Sequence, residues 1–217
     1  MDIAILIYDR FTALDAVGPY EVLSRLPGAK VTFVAEHAGV GGFPVSTDTR
    51  SLTLLAEAAI DELAHPEIVL VPGGPGQVAL MQDGPVHQWL RAADTTSTWT
   101  AAVCTGSLIL AAAGLLEGKR ATSNWQALEQ LSTFGAEVVP ERVMFDGKYV
   151  TSAGVTAGID MALSLAAKIA GEQVAQAIQL GLEYDPEPPF DAGSPAKAPK
   201  EIVEAVLAHS RFVEHAA

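Results

Sequence analysis

Cysteine is almost absent from this sequence. Its 217 residues contain a single cysteine, Cys104, so the chain can form no internal disulfide. Disulfides are rare in compartments that keep thiols reduced, and we therefore expect a cytoplasmic protein. No cluster of His, Cys and carboxylate residues shows the spacing of metal ligands. We expect neither a metal ion nor a cofactor.

Positive charge is also scarce. The chain has 13 Lys and Arg residues against 26 Asp and Glu residues, a formal net charge of −13 at pH 7. This balance opposes binding to nucleic acid, which needs basic side chains to neutralise phosphates, and docking on anionic membranes. No apolar run is long enough to span a bilayer, and the N-terminal apolar run lacks the basic flank of a secretory signal. We predict no nucleic-acid partner and no membrane partner.

Nucleotide-binding motifs and Cys–His pairs are missing as well. The glycine-rich stretches match neither a P-loop nor a dinucleotide fingerprint. The sequence has five histidines, and none of them neighbours Cys104. A protease mechanism that pairs a cysteine with a histidine therefore lacks an obvious base.

Apolar sequence, in contrast, is abundant. Hydrophobic residues make up 49% of the chain, and short apolar runs typical of buried strands alternate with helical segments. This alternation predicts an α/β fold, a parallel sheet with helices on both faces. We expect one domain over residues 1–217, with an irregular proline-rich loop at 184–199 and an amphipathic C-terminal helix at about 201–213.

The predicted site is organised around the stretch from Thr98 to Ala113. Trp99 to Val103 has the composition of a buried strand, and Ser107 to Ala113 has that of a buried helix. Cys104 lies at the corner between them, which is the arrangement of a nucleophile elbow. The backbone N–H groups and partial positive charge at the helix N-terminus favour a thiolate there. The alternative is a structural cysteine, since free cysteines are usually buried as small hydrophobes.

Three features fall at the carboxyl ends of predicted strands, where open α/β sheets bind their ligands. Asp15 follows the first strand, in a loop before a helix that begins at Gly18-Pro19. Gly73-Gly74 follows a later buried strand, and Cys104 follows the next one. We expect these residues to meet in one crevice although they are far apart in the sequence.

These residues can perform nucleophilic catalysis. Cys104 would be the nucleophile and Asp15 the acid or base, and we expect the pair to share one proton. The N–H groups of Gly73, Gly74 and Thr105 can position a substrate and stabilise a developing negative charge. Each has a structural alternative: a capping or turn carboxylate for Asp15, a tight turn for the two glycines, and helix capping for Thr105.

Four segments together resemble the DJ-1/PfpI superfamily. They are LDAVGPYEVL (14–23), VPGGPG (71–76), VCTGSLILAAAGLLEGKRAT (103–122) and SAGVTAGID (152–160), and the likeness runs from residue 3 to about residue 195. The resemblance implies a flavodoxin-like sheet, a homodimer and a nucleophilic cysteine in a strained backbone conformation. Within the superfamily, the chain is most similar to isocyanide hydratases and to the amidase-like domain of AraC-type regulators.

Two departures distinguish the branches of this superfamily. Thr105 follows the cysteine where the protease-like branch has a histidine, and Asn124 precedes Trp125 where many regulator-type domains have a histidine. The likeness therefore favours the hydratases, whose acid is the aspartate matched by Asp15. A DNA-binding regulator would need roughly another hundred residues, whereas residues 201–217 follow the proline-rich loop.

The function expected from the resemblance is hydration of an isocyanide, a small-molecule substrate, to an N-substituted formamide through a thioimidate. Two alternatives stay open. One is another cysteine enzyme of the superfamily, a glyoxalase or an amidase; the other is a non-enzymatic sensor in which Cys104 oxidises to a sulfinic acid. For Asp160 we expect a structural hydrogen bond or a capping contact.

Overall fold

The computed structural model describes residues 1–39 and 41–210, and a seven-stranded sheet lies at its centre. In chain order the strands are β1 (Asp2–Leu6), β2 (Lys30–Ala35), β3 (Phe43–Ser46), β4 (Thr53–Ala56), β5 (Ala58–Ala59), β6 (Ile68–Val71), β7 (Trp99–Val103), β8 (Arg120–Ala121), β9 (Glu137–Val138), β10 (Val143–Asp146) and β11 (Tyr149–Ser152). The central sheet has the order β10-β11-β7-β6-β1-β2-β5, and all its pairings are parallel except that of β10 with β11. The predicted parallel α/β sheet is confirmed, with one antiparallel edge strand.

Helices cover both faces of this sheet. They are α1 (Ala13–Leu23), α2 (Pro85–Asp94), α3 (Gly106–Ala112), α4 (Leu128–Thr133), α5 (Ala157–Ala170), α6 (Glu172–Gly181) and α7 (Lys200–Ala208), with short 3-10 turns at Ile60–Leu63, Pro75–Leu80 and Trp125–Ala127. Side chains of α1, α5 and α6 build the core on one face, and side chains of α2, α3 and α4 build the core on the other.

Strand β1 shows how the sequence produces these two cores. Ile3 and Ile5 point into the core beneath α1 and α5, and Ala4 and Leu6 point into the opposite core. Side chains alternate between faces along a strand, so a strand covered on both faces needs apolar residues at every position. All four side chains are fully buried.

Helix α1 begins earlier than the sequence predicts. Gly18-Pro19 was expected to start the helix, yet the helix begins at Ala13 and both residues lie inside it. A Cβ on Gly18 would lie 3.1 Å from Cγ1 of Ile159, so this glycine permits the close approach of α1 to α5. The prediction was wrong because close packing between two helices leaves no local sign in the sequence. As a result, Asp15 lies in the first turn of α1, not in a preceding loop.

The C-terminal region consists of an irregular stretch and a helix. Residues 184–199 form neither helix nor strand, and α7 follows them. The helix expected at about 201–213 ends at Ala208, and residues 211–213 lie outside the described residues. Within the described residues, no helix combines the length and the apolar character that crossing a bilayer requires.

Candidate active site

Cys104 occupies a strained turn between β7 and α3. Its φ angle of +56° lies in the left-handed region, which residues other than glycine rarely adopt. The surrounding backbone holds it there: the Cys104 N–H donates to the carbonyls of Ser152 at 3.1 Å and Ala153 at 3.2 Å. The Cys104 carbonyl accepts from the hydroxyls of Ser107 and Ser123, each at 3.0 Å. The predicted strand–turn–helix arrangement is therefore present, with the strain expected from the family resemblance.

The Cys104 thiol is surrounded by hydrogen-bond donors although it has no exposed surface. Asn124 Nδ2 lies 3.5 Å from Sγ, and the backbone N–H groups of Thr105 and Val155 also point at the sulfur. These donors lower the thiol pKa, but burial, followed by the nearby charge of Asp15, raises it by more. The net pKa of Cys104 lies well above its ordinary value. The effect expected from the helix N-terminus exists, yet burial outweighs it and the resting group is a thiol.

Asp15 lies close to Cys104 and is equally buried. Its Oδ2 accepts a hydrogen bond of 2.9 Å from the Gly73 N–H. The carbonyl of the same peptide unit, on Pro72, accepts a hydrogen bond of 2.9 Å from the Tyr8 hydroxyl. The Pro72–Gly73 peptide is thus fixed from both sides, by a phenol at its oxygen and a carboxylate at its nitrogen.

Tyr8 lies beside the same groups, and its pKa responds to them. Burial raises this pKa well above its ordinary value, and the charges of Asp15 and Cys104 raise it further. A phenol, a carboxyl and a thiol therefore interact in one small buried volume. The convergence predicted from the carboxyl ends of the strands brings Asp15, Gly73 and Cys104 together.

Gly73 and Gly74 hold the site by close packing. A Cβ on Gly73 would lie 2.5 Å from the Thr105 nitrogen and 2.9 Å from Cβ of Cys104, so no other residue fits without displacing them. The Gly73 N–H is engaged by Asp15, and the Gly74 N–H donates to Thr105 Oγ1 at 2.9 Å. In this conformation neither N–H is available to an oxyanion, and the substrate-positioning role assigned to Gly73, Gly74 and Thr105 stays a prediction.

Three contributors to the site were not predicted. Tyr8 could have been found, because it ends the apolar run that contains β1, at the same edge of the sheet as the other residues. Asn124 was noted only as the replacement of a family histidine. Val155 contributes a backbone N–H, which no feature of the sequence reveals.

Several other polar and ionisable side chains lie outside this site. Asp160, in the first turn of α5, accepts from the Tyr184 hydroxyl at 2.8 Å and pairs with Arg142, so it makes the structural contacts expected of it. Among the described residues, no group of three or more His, Cys, Asp and Glu side chains is arranged to hold a metal ion. In the described part of the chain, no histidine is among the groups that act on the pKa of Cys104. His37 pairs with Glu36 on the surface.

The sheet is mainly parallel, and a strained, buried cysteine follows one of its central strands with a buried carboxylate beside it. These features define a class of cysteine-centred α/β proteins. The model of the DJ-1/PfpI family matches residues 1–168, and the chain belongs to that family. The resemblance identified from the sequence is confirmed.

Three relatives show how far the similarity extends. An isonitrile hydratase from Pseudomonas putida is 41% identical over 204 residues, covering 94% of this chain and 87% of that protein. A crystal structure of a ThiJ/PfpI family protein from Pseudomonas syringae is 37% identical with a TM-score of 0.91, covering 96% and 85% of the two chains. The HTH-type transcriptional regulator CdhR from Pseudomonas aeruginosa is 35% identical over 129 residues, which cover 58% of this chain and 38% of the regulator.

Proposed function

We propose that the protein hydrates an isocyanide to an N-substituted formamide. The observation that carries the proposal is the complete burial of Cys104 beside Asp15, whose charge acts on the thiol. Asn124 donates to the sulfur, and the Gly73 N–H donates to the carboxyl group of Asp15. A thiol and a carboxyl can supply the nucleophile and the proton carrier that this reaction needs. The similarity to an isonitrile hydratase over 94% of the chain supports the same reaction, since isonitrile and isocyanide name one functional group.

In the first step, Sγ of Cys104 adds to the terminal carbon of R–N≡C. The raised pKa keeps the proton on sulfur at rest, so the Asp15 carboxylate accepts it as the S–C bond forms. Asp15 then delivers that proton to the same carbon, which gives the thioimidate R–N=CH–S–Cys104. Donors from Asn124, Thr105 and Val155 stabilise negative charge on sulfur during the attack.

In the second step, water adds across the C=N bond of the thioimidate. Asp15 takes a proton from the water as its oxygen bonds to the carbon, and the nitrogen gains a proton from Asp15. The C–S bond then breaks as the C=O bond forms, and Asp15 carries the hydroxyl proton to the leaving sulfur. The products are R–NH–CHO and the free thiol, so the enzyme returns to its starting state.

The burial of the site favours a small, uncharged substrate. Neither Cys104 nor Asp15 has exposed surface, so a substrate reaches Sγ after covering groups move aside. A charged substrate would lose its hydration in a volume that already holds the charge shared by this pair, which is costly. An isocyanide carries no net charge and ends in a single exposed carbon. It therefore meets both requirements.

The test is conversion of phenyl isocyanide to N-phenylformamide by the wild type and three variants. Cys104→Ala removes the nucleophile and is expected to abolish turnover, and Asp15→Asn is expected to reduce it by about 10²–10⁴-fold. Asp160→Asn makes the same chemical change in the first turn of another helix and is expected to keep turnover near that of the wild type.

Turnover that persists in Cys104→Ala would contradict the mechanism. A wild type with a reduced thiol and no turnover would contradict the proposed reaction. Cys104-dependent formation of lactate from methylglyoxal would then favour a glyoxalase, and a sulfinic acid on Cys104 after mild peroxide treatment would favour a thiol sensor. The homodimer and the cytoplasmic location stay predictions, which sedimentation and cell fractionation can test.

A further inference from the structure

A cavity lies at the carboxyl edge of the sheet, and Tyr8 of the cysteine site forms part of its lining. Its volume is about 780 Å³, and it opens beside the ends of β1 and β2 and the 3-10 turn at Pro75–Leu80. This volume lies within the range of small-molecule sites, and this edge of a parallel sheet is where such sites form. Neither Cys104 nor Asp15 belongs to the lining.

Close packing joins the two segments that border this cavity. The segment after β6 lies against the segment after β1 so tightly that a Cβ on Gly74 would be 2.5 Å from the Thr12 nitrogen. A Cβ on Gly76 would be 1.9 Å from the carbonyl oxygen of Asp9. The two segments leave no space for a side chain between them. Tyr8 borders both places, since it lines the cavity and its pKa responds to Asp15 and Cys104, whereas neither Cys104 nor Asp15 lines the cavity.

Backbone strain in this protein concentrates at these two places. Among the described residues, five other than glycine have a positive φ angle: Arg10 (64°), Arg50 (61°), Cys104 (56°), Val155 (26°) and Glu183 (51°). Cys104 and Val155 belong to the cysteine site, and Arg10 and Arg50 both line the cavity. Strained conformations of this kind cluster at functional sites, because they persist where the surrounding structure enforces them.

Two arginines, Arg10 and Arg50, and two acidic residues, Asp9 and Glu36, line the cavity. Within residues 1–39 and 41–210, neither Arg10 nor Arg50 forms an ion pair, although acidic side chains outnumber basic ones two to one in the whole chain. Of the acidic lining residues, Glu36 pairs with His37 at 3.4 Å, which leaves Asp9 against two guanidinium groups. A guanidinium group is suited to the planar, two-oxygen geometry of a carboxylate.

The remaining wall of the cavity is largely apolar. Its apolar lining includes Ile7, Val45, Val78, Leu80 and Val86, whereas Arg10 and Arg50 are exposed to solvent. A pocket with apolar walls and a few convergent polar groups selects a molecule with an apolar body and one polar end. We propose that this cavity is a second binding site, for a small organic carboxylate with an apolar chain.

The test compares octanoate with octanamide, which has the same shape and no charge, by calorimetric titration of the full chain. We expect octanoate to saturate one site per chain and octanamide to bind about tenfold more weakly, because the amide cannot form the charge-assisted bonds. Arg10→Gln and Arg50→Gln should each weaken octanoate binding about tenfold and leave octanamide binding unchanged. Arg120→Gln removes an arginine of β8 that also forms no ion pair in the described residues, and it should change neither affinity.

Three results would overturn the proposal. They are the absence of saturable octanoate binding, equal affinity for the acid and the amide, and an octanoate affinity unaffected by both arginine variants. Cys104→Ala should bind octanoate like the wild type, and a loss of binding in that variant would place the ligand at the cysteine site instead. Both arginines are exposed, so we expect the glutamine variants to fold like the wild type, and lost binding would not reflect misfolding.

Discussion

Replacement of Gly73 by alanine tests whether the cysteine site is as closely packed as the structure shows. The added Cβ would lie 2.5 Å from the Thr105 nitrogen, 2.7 Å from Thr105 Oγ1 and 2.9 Å from Cβ of Cys104. Ordinary contact begins at 3.4 Å, so the Thr105 nitrogen would have to retreat by about 0.9 Å. A retreat of Thr105 would displace Cys104, the residue before it, and a shift of residue 73 instead would displace the N–H that donates to Asp15.

Both stability and turnover should respond to this change. Overpacking a buried position costs about 1–3 kcal/mol, and in a protein of this size each kcal/mol lowers Tm by about 2–4 °C. We therefore expect Tm to fall by about 5 °C when it is followed by circular dichroism. A displacement near 1 Å at a reacting group costs about 10²-fold in rate, so turnover of phenyl isocyanide should fall by about that factor.

Gly181→Ala is the matched control for this variant. Gly181 ends α6, and a Cβ there would meet no atom within 4 Å, so the same substitution should leave turnover unchanged and Tm equal or slightly higher. A Gly73→Ala protein with the Tm and turnover of the wild type would refute the close packing. A lowered Tm with full turnover would show that the packing exists but does not position the reacting groups.

Two further predictions concern the groups around the thiol. Tyr8→Phe leaves the buried Pro72 carbonyl without its donor, so we expect turnover to fall about fivefold. The fall should appear in kcat and not in KM. Steady-state kinetics measure it, and Tyr20→Phe, which changes a tyrosine outside the site, is the control. Asp15→Asn should lower the pKa of Cys104 and Asn124→Ala should raise it, because the carboxylate charge opposes the thiolate and the amide N–H stabilises it. The pH dependence of thiolate ultraviolet absorbance measures both pKa shifts. The absorbance of the same variant with Cys104→Ala added is subtracted as the background. Two pKa shifts of the same sign would contradict the described surroundings of the sulfur.

The main features of the fold could be predicted because they follow from local patterns. The unbroken apolar run of β1 specifies a strand covered on both faces, and its alternate residues do enter different cores. Apolar residues before Cys104 and small residues after it specify a strand that turns into a helix. Since the carboxyl ends of parallel strands share one edge, the meeting of Asp15, Gly73 and Cys104 followed from the order of elements.

What the sequence did not reveal depends on contacts between distant segments. Gly18 suggested a helix start, whereas its role is to let α1 approach Ile159 of α5. The donors to Sγ include a backbone N–H of Val155 and the side chain of Asn124, and their orientation depends on loops that close only in the folded chain. Burial is likewise a tertiary effect: it raises the pKa of Cys104 by more than the donors at the end of a short helix lower it.

The complete burial of Cys104 makes the chain's single thiol a probe of its own motions. A disulfide reagent too large for the closed site can react with the sulfur when the segments around it separate, so its reaction rate measures the free energy of that opening. With no second cysteine to add a competing signal, the dependence of this rate on denaturant distinguishes a local separation at the elbow from unfolding of the whole domain. Stability at the turn that holds Cys104 can thus be measured on the wild-type protein, without a label or a substitution.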